Sequence, residues 1–284
     1  MKPRTRSQIR LIGIAFAAML CLLALLLWQG VRRGDAVRVG VPKSACAYGA
    51  AMLLQAPGAQ YSCVLGSTPQ ALYDALEEGT LDAALLPYAL ATQAKGCDIR
   101  AVLGFESLVV LARDQALLVP HDLHGRALTL PAEMAGTRAE RMLRTVLKQN
   151  KIDCALAFDS DARADLLCCD IDTAASLMQS DTALRVCFTI GRAWQKTLRS
   201  TPPAGLCLVV RQDYLDRAGS DYAAFEKALA SAQRYGADKR KKTVAMVAAA
   251  GLAKDEALAD ALYDACDFEF LTDAEMRAAL QALP

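Results

Sequence analysis

The stretch Tyr61–Thr92, YSCVLGSTPQALYDALEEGTLDAALLPYALAT, decides the fold of this chain. It opens with a short apolar run typical of a strand. Gly66-Ser67-Thr68-Pro69 then indicates a helix start, with a hydroxyl residue at the cap and proline in the first turn. The helical apolar spacing ends at Gly79, and a second buried strand is predicted over Asp82–Leu86, just before Pro87-Tyr88. This is a β-α-β unit, and ligands of open α/β sheets bind where such strands end.

Length and composition set the class of protein. The chain has 284 residues, enough for one large or two modest domains with a proper core. Hydrophobic residues make up 54% of it and aromatic residues only 6%, so the core is built from Ala, Leu and Val. The formal net charge is +1 and no basic face interleaved with aromatic residues occurs. We therefore expect no nucleic-acid partner.

The first 34 residues predict a cytoplasmic basic tail, a transmembrane signal anchor and a linker. An uncharged run, Leu11–Trp28, spans roughly 27 Å as a helix, close to the thickness of a bilayer core. The basic residues before it place the N-terminus in the cytoplasm and the remainder outside. Leu27-Trp28-Gln29-Gly30 is a poor cleavage site, and Leu20 before Cys21 argues against a lipoprotein. An uncleaved anchor is favoured, with a cleaved signal peptide as the alternative.

Strands and helices alternate through the rest of the chain. Asp-led apolar strands that run into small-residue helix starts occur twice, at Leu81–Thr92 and Ala164–Ala175, which indicates a weak internal repeat. The other predicted strands are Ala36–Val41, Ile99–Leu103, Ser107–Ala112, Arg126–Leu130, Ala155–Phe158, Arg185–Thr189 and Gly205–Arg211. The other predicted helices are Ala50–Gln55, one capped by Thr137, Tyr222–Tyr235, Lys239–Ala250, Asp255–Cys266 and Thr272–Leu283.

The order of these elements resembles the type II periplasmic solute-binding proteins, and more narrowly the nitrate/sulfonate/taurine and thiamine-precursor branch of ABC transporter binding proteins. The resemblance covers roughly residues 37–270. The segments that carry it are Val37–Pro42, Gly66–Pro69, Gly79–Pro87, Asp122–Arg126, Ala193–Lys196 and Pro203–Arg211.

The resemblance implies an α/β, two-lobed type II periplasmic-binding-protein fold, preceded here by the N-terminal transmembrane or signal helix. Lobe 1 would comprise residues 35–112 plus 205–284, and lobe 2 residues 113–204. Two features depart from the family pattern. The six residues Asp159–Ala164 cannot hold the helix that usually separates two strands of lobe 2, and Asp170-Ile171-Asp172 stands where a Glu-Pro pair is common.

The resemblance also implies that a ligand sits between the lobes and is trapped by hinge closure. Helix N-termini at the cleft suit anionic or zwitterionic ligands. The expected first-lobe wall is Ser44, Tyr48, Ser67, Thr68 and Tyr88, and the expected second-lobe wall is Glu133, Thr137, Arg138 and Thr173. Some of these side chains have ordinary structural roles as alternatives: Ser67, Thr68 and Thr137 as helix caps, Tyr88 as packing, and Arg138 on a solvated face.

Other chemistry-bearing residues have simpler interpretations. His121 and His124 fit a turn, so no metal site is expected, and no hydrolase motif accompanies them. The run Lys239–Lys242 is a solvated helix face, with a docking surface as the alternative. The cysteines are interpreted as buried small residues, although a disulfide such as Cys63–Cys97 stays open.

The functional expectation is the extracytoplasmic solute-binding component of an ABC importer, without catalysis or cofactor. The protein would be a monomer that captures a small organic solute, anionic or zwitterionic, and delivers it to an ABC permease subunit. Its membrane contact would be Leu11–Trp28. One alternative is an enzyme on the same scaffold, of the menaquinone-pathway type. Another is a membrane-anchored ligand sensor without a transport role.

Overall fold

The computed structural model describes residues 36–56, 60–113, 117–159 and 164–283. The predicted membrane helix Leu11–Trp28 lies outside these ranges. Among the described residues, no helix combines the length and the apolarity needed to cross a bilayer. Val37–Pro284 forms one compact unit through its own contacts.

The first of two sheets has five strands in the order β2-β1-β3-β10-β4. The strand β1 pairs in parallel with both β2 and β3, whereas β10 runs antiparallel to its two neighbours. The two strands of the β-α-β unit predicted at 61–92 therefore exist, and β1 lies between them. The strand bounds are Val37–Pro42 for β1, Tyr61–Gly66 for β2, Ala83–Pro87 for β3, Cys97–Phe105 for β4 and Ala204–Arg211 for β10.

The second sheet also has five strands, in the order β7-β6-β8-β5-β9. The predicted boundary at residue 112 assigned β5 to the first lobe, whereas β5 pairs with β8 and β9 of the second sheet. Seven residues separate β7 from β8, and the predicted short connection between them lies partly outside the described residues, at 160–163. The bounds are Leu108–Arg113 for β5, Arg126–Leu130 for β6, Cys154–Phe158 for β7, Leu166–Asp170 for β8 and Leu184–Thr189 for β9.

Ten α-helices occur in the described residues, together with short 3-10 helices at Ala45–Ala50, Pro120–Leu123 and Ala132–Met134. We call the half of the molecule built on the first sheet the first lobe, and the half built on the second sheet the second lobe. The helices of the first lobe are α1 Ala51–Gln55, α2 Pro69–Glu77, α3 Tyr88–Ala91, α7 Gln212–Asp238, α8 Arg240–Ala249, α9 Glu256–Tyr263 and α10 Asp273–Gln281. Those of the second lobe are α4 Arg138–Gln149, α5 Ile171–Ser180 and α6 Ile190–Leu198.

The helix starts follow the sequence signals. Thr68 caps α2 by accepting a hydrogen bond from the Ala71 N–H at 3.1 Å, with proline as the first helical residue. Gly79 follows the end of this helix with a φ of +75°, a conformation that favours glycine. Helix α6 was not predicted, and neither were the turns of α7 before Ala218, where the backbone breaks with a non-helical φ of −130° and ψ of 35°. The first turns of α7 are rich in polar residues, so the spacing of apolar residues did not indicate a helix there.

The apolar core is continuous between the lobes. One cluster of buried side chains fills the second lobe between α4, α6 and its sheet. A larger cluster joins residues of the first sheet and of α9 to Val109, Leu167 and Ile171 of the second lobe. The lobes are therefore packed against each other over apolar surface.

Two chain segments cross between the lobes side by side, one between β4 and β5 and one leading into β10. The Glu106 N–H donates to the Pro203 carbonyl at 2.8 Å, which ties the two segments together. Gly205 lies so close to the other segment that a Cβ on it would sit 2.0 Å from the Phe105 carbonyl oxygen. Glycine is therefore required at this crossing.

The nine cysteines in the described residues are all free. Cys63 lies on β2 and Cys97 on β4, at opposite edges of the first sheet. Four strand spacings separate these edges by about 19 Å, far beyond the roughly 7 Å that a disulfide tolerates between Cα atoms. The open alternative of a Cys63–Cys97 disulfide is wrong.

Candidate functional site

The two lobes meet where strands of each sheet end and helices begin. A first contact joins the loop after β1 to the start of α5. The Ser44 hydroxyl lies 2.8 Å and 2.7 Å from the two carboxylate oxygens of Asp172, and the Ala45 N–H donates to Asp172 Oδ1 at 2.9 Å. Ser44 is 5% exposed. Asp172 therefore crosses the lobe boundary and takes the donors that the resemblance assigned to a ligand.

Burial raises the pKa of the Asp172 carboxyl, and the hydrogen bonds from Ser44 and Ala45 oppose that shift. The neighbouring Asp170 raises the pKa further through its charge. Asp170 itself caps α5, since its carboxylate accepts the backbone N–H groups of Asp172 at 3.0 Å and Thr173 at 2.9 Å. Two carboxylates thus occupy the first turn of α5, which makes this wall of the cleft acidic.

Tyr48 lies beside this contact, on the 3-10 helix Ala45–Ala50. Its side chain is 1% exposed, yet its hydroxyl has no hydrogen-bond partner among the described residues. Burial raises the pKa of the Tyr48 phenol, and the charges of Cys266 and Asp172 add to the shift. The hydroxyl is therefore a protonated, buried polar group next to an acidic side chain, available to a partner that brings its own hydrogen bond.

A second contact between the lobes joins Tyr88 and Arg138. The Arg138 guanidinium carbon lies 4.0 Å from the centre of the Tyr88 ring. Arg138 Nε donates to the Leu283 carbonyl and Nη1 to the Ala204 carbonyl, each at 2.8 Å, while Nη2 has no hydrogen-bond partner among the described residues. The Tyr88 hydroxyl donates to the Leu280 carbonyl at 3.3 Å. The C-terminal segment therefore uses the polar atoms of both walls here.

Glu106 completes the charges around this second contact. Its carboxylate lies 3.9 Å from Arg138 Nη1, on the segment that crosses between the lobes. Burial raises the pKa of Glu106, the Arg138 charge opposes the shift, and the Asp170 charge adds to it. Glu106 therefore adds a second carboxyl group to the lobe boundary, next to Arg138.

The remaining predicted residues have other surroundings. Ser67, Thr68 and Glu133 are exposed, and Thr68 serves as the cap of α2. Thr137 caps α4 by accepting from the Glu140 N–H at 3.3 Å, and its hydroxyl donates to the Met134 carbonyl. The Thr173 hydroxyl donates to Asp170 at 2.6 Å. These hydroxyls have the capping roles that the sequence left open.

The sequence predicted Ser44, Tyr48 and Tyr88 on the first-lobe wall and Arg138 on the second-lobe wall. It did not indicate Asp172 or Glu106. The one available signal for Asp172 was Asp170-Ile171-Asp172 in the place of a Glu-Pro pair. His121 and His124 form a stacked pair, and His124 accepts the Asp153 N–H at 3.1 Å, as expected of a turn. Within the described ranges, no three side chains of the types that bind metals are grouped to hold an ion.

No protein-family model matches the chain, and no curated protein matches it by sequence. Solved structures do match its fold. An ABC transporter structure from Parabacteroides distasonis superposes with a TM-score of 0.68 at 16% identity, covering 88% of this chain and 90% of the other. The periplasmic aliphatic sulphonate binding protein SsuA from Escherichia coli gives a TM-score of 0.58 at 16% identity, covering 88% and 85%.

The alkanesulfonate-binding protein SsuA from Xanthomonas axonopodis pv. citri, bound to MOPS, gives a TM-score of 0.55 at 17% identity, covering 88% and 91%. The structural neighbours of this chain are thus ABC transporter substrate-binding proteins, as the sequence predicted. At these identities the likeness establishes the fold, a two-sheet α/β periplasmic-binding-protein fold. Any conclusion about function therefore depends on the contacts at the lobe boundary.

Proposed function

We propose that this protein is the extracytoplasmic solute-binding component of an ABC importer, holding a small organic solute between its lobes. The observation that carries the proposal is the Tyr48 hydroxyl, which is buried without a partner beside Asp172 at the lobe boundary. An unpaired buried hydroxyl costs about 1–3 kcal/mol, and a bound solute that hydrogen-bonds to it recovers that cost.

The fold supports this proposal. The structural neighbours include proteins described as binding sulfonates, and their two-lobed architecture is shared over nearly the whole described chain. The proposal assigns no catalytic step. It includes an ABC permease subunit as partner, a monomeric state and an anchor at Leu11–Trp28, all of which stay predictions from the sequence.

The acidic character of the second-lobe wall restricts the solute. Asp172 already accepts the hydroxyl and N–H donors near β1, so a simple anion placed there meets a carboxylate instead of free donors. Among the anionic and zwitterionic solutes expected from the sequence, the zwitterionic ones fit this wall better. The simple anions of the family are the less suitable class.

A thermal-shift screen of the purified full-length protein tests the binding function. A solute at 100 times its dissociation constant stabilises a protein by about 2.7 kcal/mol. For a chain of this size that corresponds to a rise of roughly 5–10 °C in Tm. We expect such a rise with at least one small zwitterion or anion, whereas a flat response to sulfonates, nitrate, carboxylates, amines and amino acids contradicts a binding role.

A specific observation favours a second candidate, a sensor or lobe pair that no longer carries solute to a permease. Arg138 is held by the Leu283 and Ala204 carbonyls, so the chain itself fills the part of the cleft where Tyr88 and Arg138 meet. Solute uptake by cells with and without the protein separates the two functions. An importer component lowers uptake of its solute when deleted, and a sensor leaves uptake unchanged.

A further inference from the structure

A cavity of about 580 Å³ lies beside the Ser44–Asp172 contact, between α5 of the second lobe and the turn that joins α8 to α9 of the first. Ligand pockets for small molecules occupy about 300–1,000 Å³. Its lining includes the polar side chains of Tyr48, Asp172, Lys43 and Lys254 and the apolar side chains of Leu252 and Leu258. Its size and its mixture of polar and apolar walls are those of a small-molecule site.

The acidic part of the cavity suits a protonated amine. The two donors on Asp172, the Ser44 hydroxyl and the Ala45 N–H, leave lone pairs of its carboxylate unused, because a carboxylate offers about four acceptor positions. The Tyr48 hydroxyl lies within the range of the Asp172 charge and lacks a partner in the described part of the chain. An ammonium group has three N–H donors and no acceptor, so it complements a carboxylate together with a phenol oxygen.

The basic part of the cavity suits a carboxylate. Lys43 and Lys254 are exposed, and neither forms an ion pair within the described ranges. Together with Asp172 they are the charged side chains among the described residues that line the cavity. An anionic group of a ligand in this cavity finds two ammonium groups that can pair with it.

Apolar side chains also line the cavity. Leu252 is 6% exposed and Leu258 9% exposed, and both present carbon surface to the cavity. Ala175 and Ala253 extend that surface. Such a wall accommodates an unbranched aliphatic segment better than it accommodates a polar or highly charged solute.

We propose that this cavity binds a small aliphatic amino acid, with its protonated amine at Asp172 and Tyr48 and its carboxylate at Lys43 and Lys254. The inference rests on the proposed solute-binding function and names the class of solute and the site. It also identifies Asp172, Lys43 and Lys254 as binding residues that the sequence did not predict.

Calorimetric titration of the full-length protein with a chain-length series tests the proposal. The series is glycine, β-alanine, 4-aminobutyrate, 5-aminopentanoate and 6-aminohexanoate. Butylamine and butyrate serve as ligands that lack one charge, and propanesulfonate represents simple anions. We expect one member of the series to bind at least about tenfold more tightly than butylamine, butyrate or propanesulfonate, since loss of either ionic partner removes charge-assisted bonds.

Variants test the two ends separately. Lys254→Ala removes an exposed side chain without a partner in the described protein, and we expect it to weaken the amino acid about fivefold while leaving butylamine unaffected. Lys241→Ala, an exposed lysine on α8 outside the cavity, is the matched control and changes neither ligand. Asp172→Asn should weaken both amine ligands by about 10- to 100-fold, and Tyr48→Phe by a smaller factor, with Tyr73→Phe as control.

Each outcome is decisive. Binding of an amino acid that Lys254→Ala and Asp172→Asn weaken in this pattern supports the proposal. Preferential binding of propanesulfonate or butyrate overturns the amino-acid class and leaves the solute-binding function standing. Amino-acid binding that none of the cavity variants changes overturns the site. If no ligand in this series or in the broad thermal-shift screen binds, the proposed function itself fails and the inference fails with it.

Discussion

Replacing Arg138 with alanine tests how firmly the C-terminal segment holds the second contact between the lobes. The guanidinium is 13% exposed and donates to two backbone carbonyls, those of Leu283 and Ala204. It also stacks on the Tyr88 ring at 4.0 Å. Truncation to alanine removes all three interactions and leaves the two carbonyls without their donor.

The size of the loss follows from these contacts. A hydrogen bond from a charged donor contributes about 1.5–3 kcal/mol, and a partly buried contact between a cation and a ring about 0.5–2 kcal/mol. The unpartnered Nη2 group costs the wild-type protein about 1–3 kcal/mol, and the substitution relieves that cost. We therefore expect Arg138→Ala to lower the free energy of unfolding by about 2–5 kcal/mol.

Lys148 on the same helix provides a matched control. Its side chain is exposed. Substitutions of exposed side chains usually change the free energy of unfolding by no more than about 0.5 kcal/mol. Urea unfolding followed by tryptophan fluorescence measures both variants, since Trp194 is buried in the second lobe and reports its unfolding.

A loss of 3 kcal/mol lowers the urea midpoint by about 1 M or more when the slope is 2–3 kcal/mol per molar. We expect the Arg138→Ala midpoint to fall by that amount and the Lys148→Ala midpoint to change by no more than about 0.25 M. If the two variants unfold at the same urea concentration, the C-terminal segment is not anchored by Arg138, and the assignment of this contact as a closed part of the cleft is wrong.

Three further predictions follow from the lobe boundary. Gly205→Ala should lower the free energy of unfolding by about 1–3 kcal/mol because its Cβ would lie 2.0 Å from the Phe105 carbonyl oxygen, whereas Gly104→Ala, whose Cβ meets only ordinary contacts, should change little in the same urea assay. Asp172→Asn should gain stability relative to the wild type as the pH rises from 4 to 7. Burial raises the pKa of the wild-type carboxyl, so the wild type is stabilised by protonation at acid pH and loses that stability as the pH rises through the folded-state pKa. A difference in unfolding free energy between the two proteins that does not vary with pH contradicts this prediction. Burial raises the pKa of the Cys46 thiol to about 12, so the native Cys46→Ala variant should show as many fast-reacting thiols with Ellman's reagent at pH 8 as the wild type, and one thiol fewer after urea unfolding; loss of a fast-reacting thiol in the native variant contradicts the raised pKa.

Most of the fold could be predicted from the sequence because its signals are local. Cap residues, prolines and glycines mark the ends of α2 and α4, and β-strands appear as short apolar runs between them. The strand order of the two sheets was less accessible. The predicted assignment of β5 to the first lobe was wrong because strand pairing depends on residues that are distant in the sequence. The apolar residues of β5 suit either sheet and do not show which one the strand joins.

The site was harder to predict than the fold because its decisive contacts join distant parts of the chain. Ser44 and Asp172 are 128 positions apart, and Arg138 and Leu283 are 145 apart. Local patterns indicated candidate residues on the two walls, including Tyr48 and Arg138, and their role in binding stays a prediction. They could not show that Asp172, two residues after the cap of α5, reaches the other lobe.

The continuous apolar core between the lobes determines how a solute enters the molecule. Motion about a hinge is the default for two lobes unless the surface between them is large and hydrophobic. Here Val109, Leu167 and Ile171 of the second lobe share a buried cluster with α9 of the first, and each 100 Å² of such surface exposed by opening costs about 2.5 kcal/mol. Full separation of the lobes is therefore expensive. The cavity beside Asp172 lies at the margin of this core, so a solute enters it without full separation of the lobes, and local movement of the side chains around the buried Tyr48 hydroxyl then brings that group into contact with the solute.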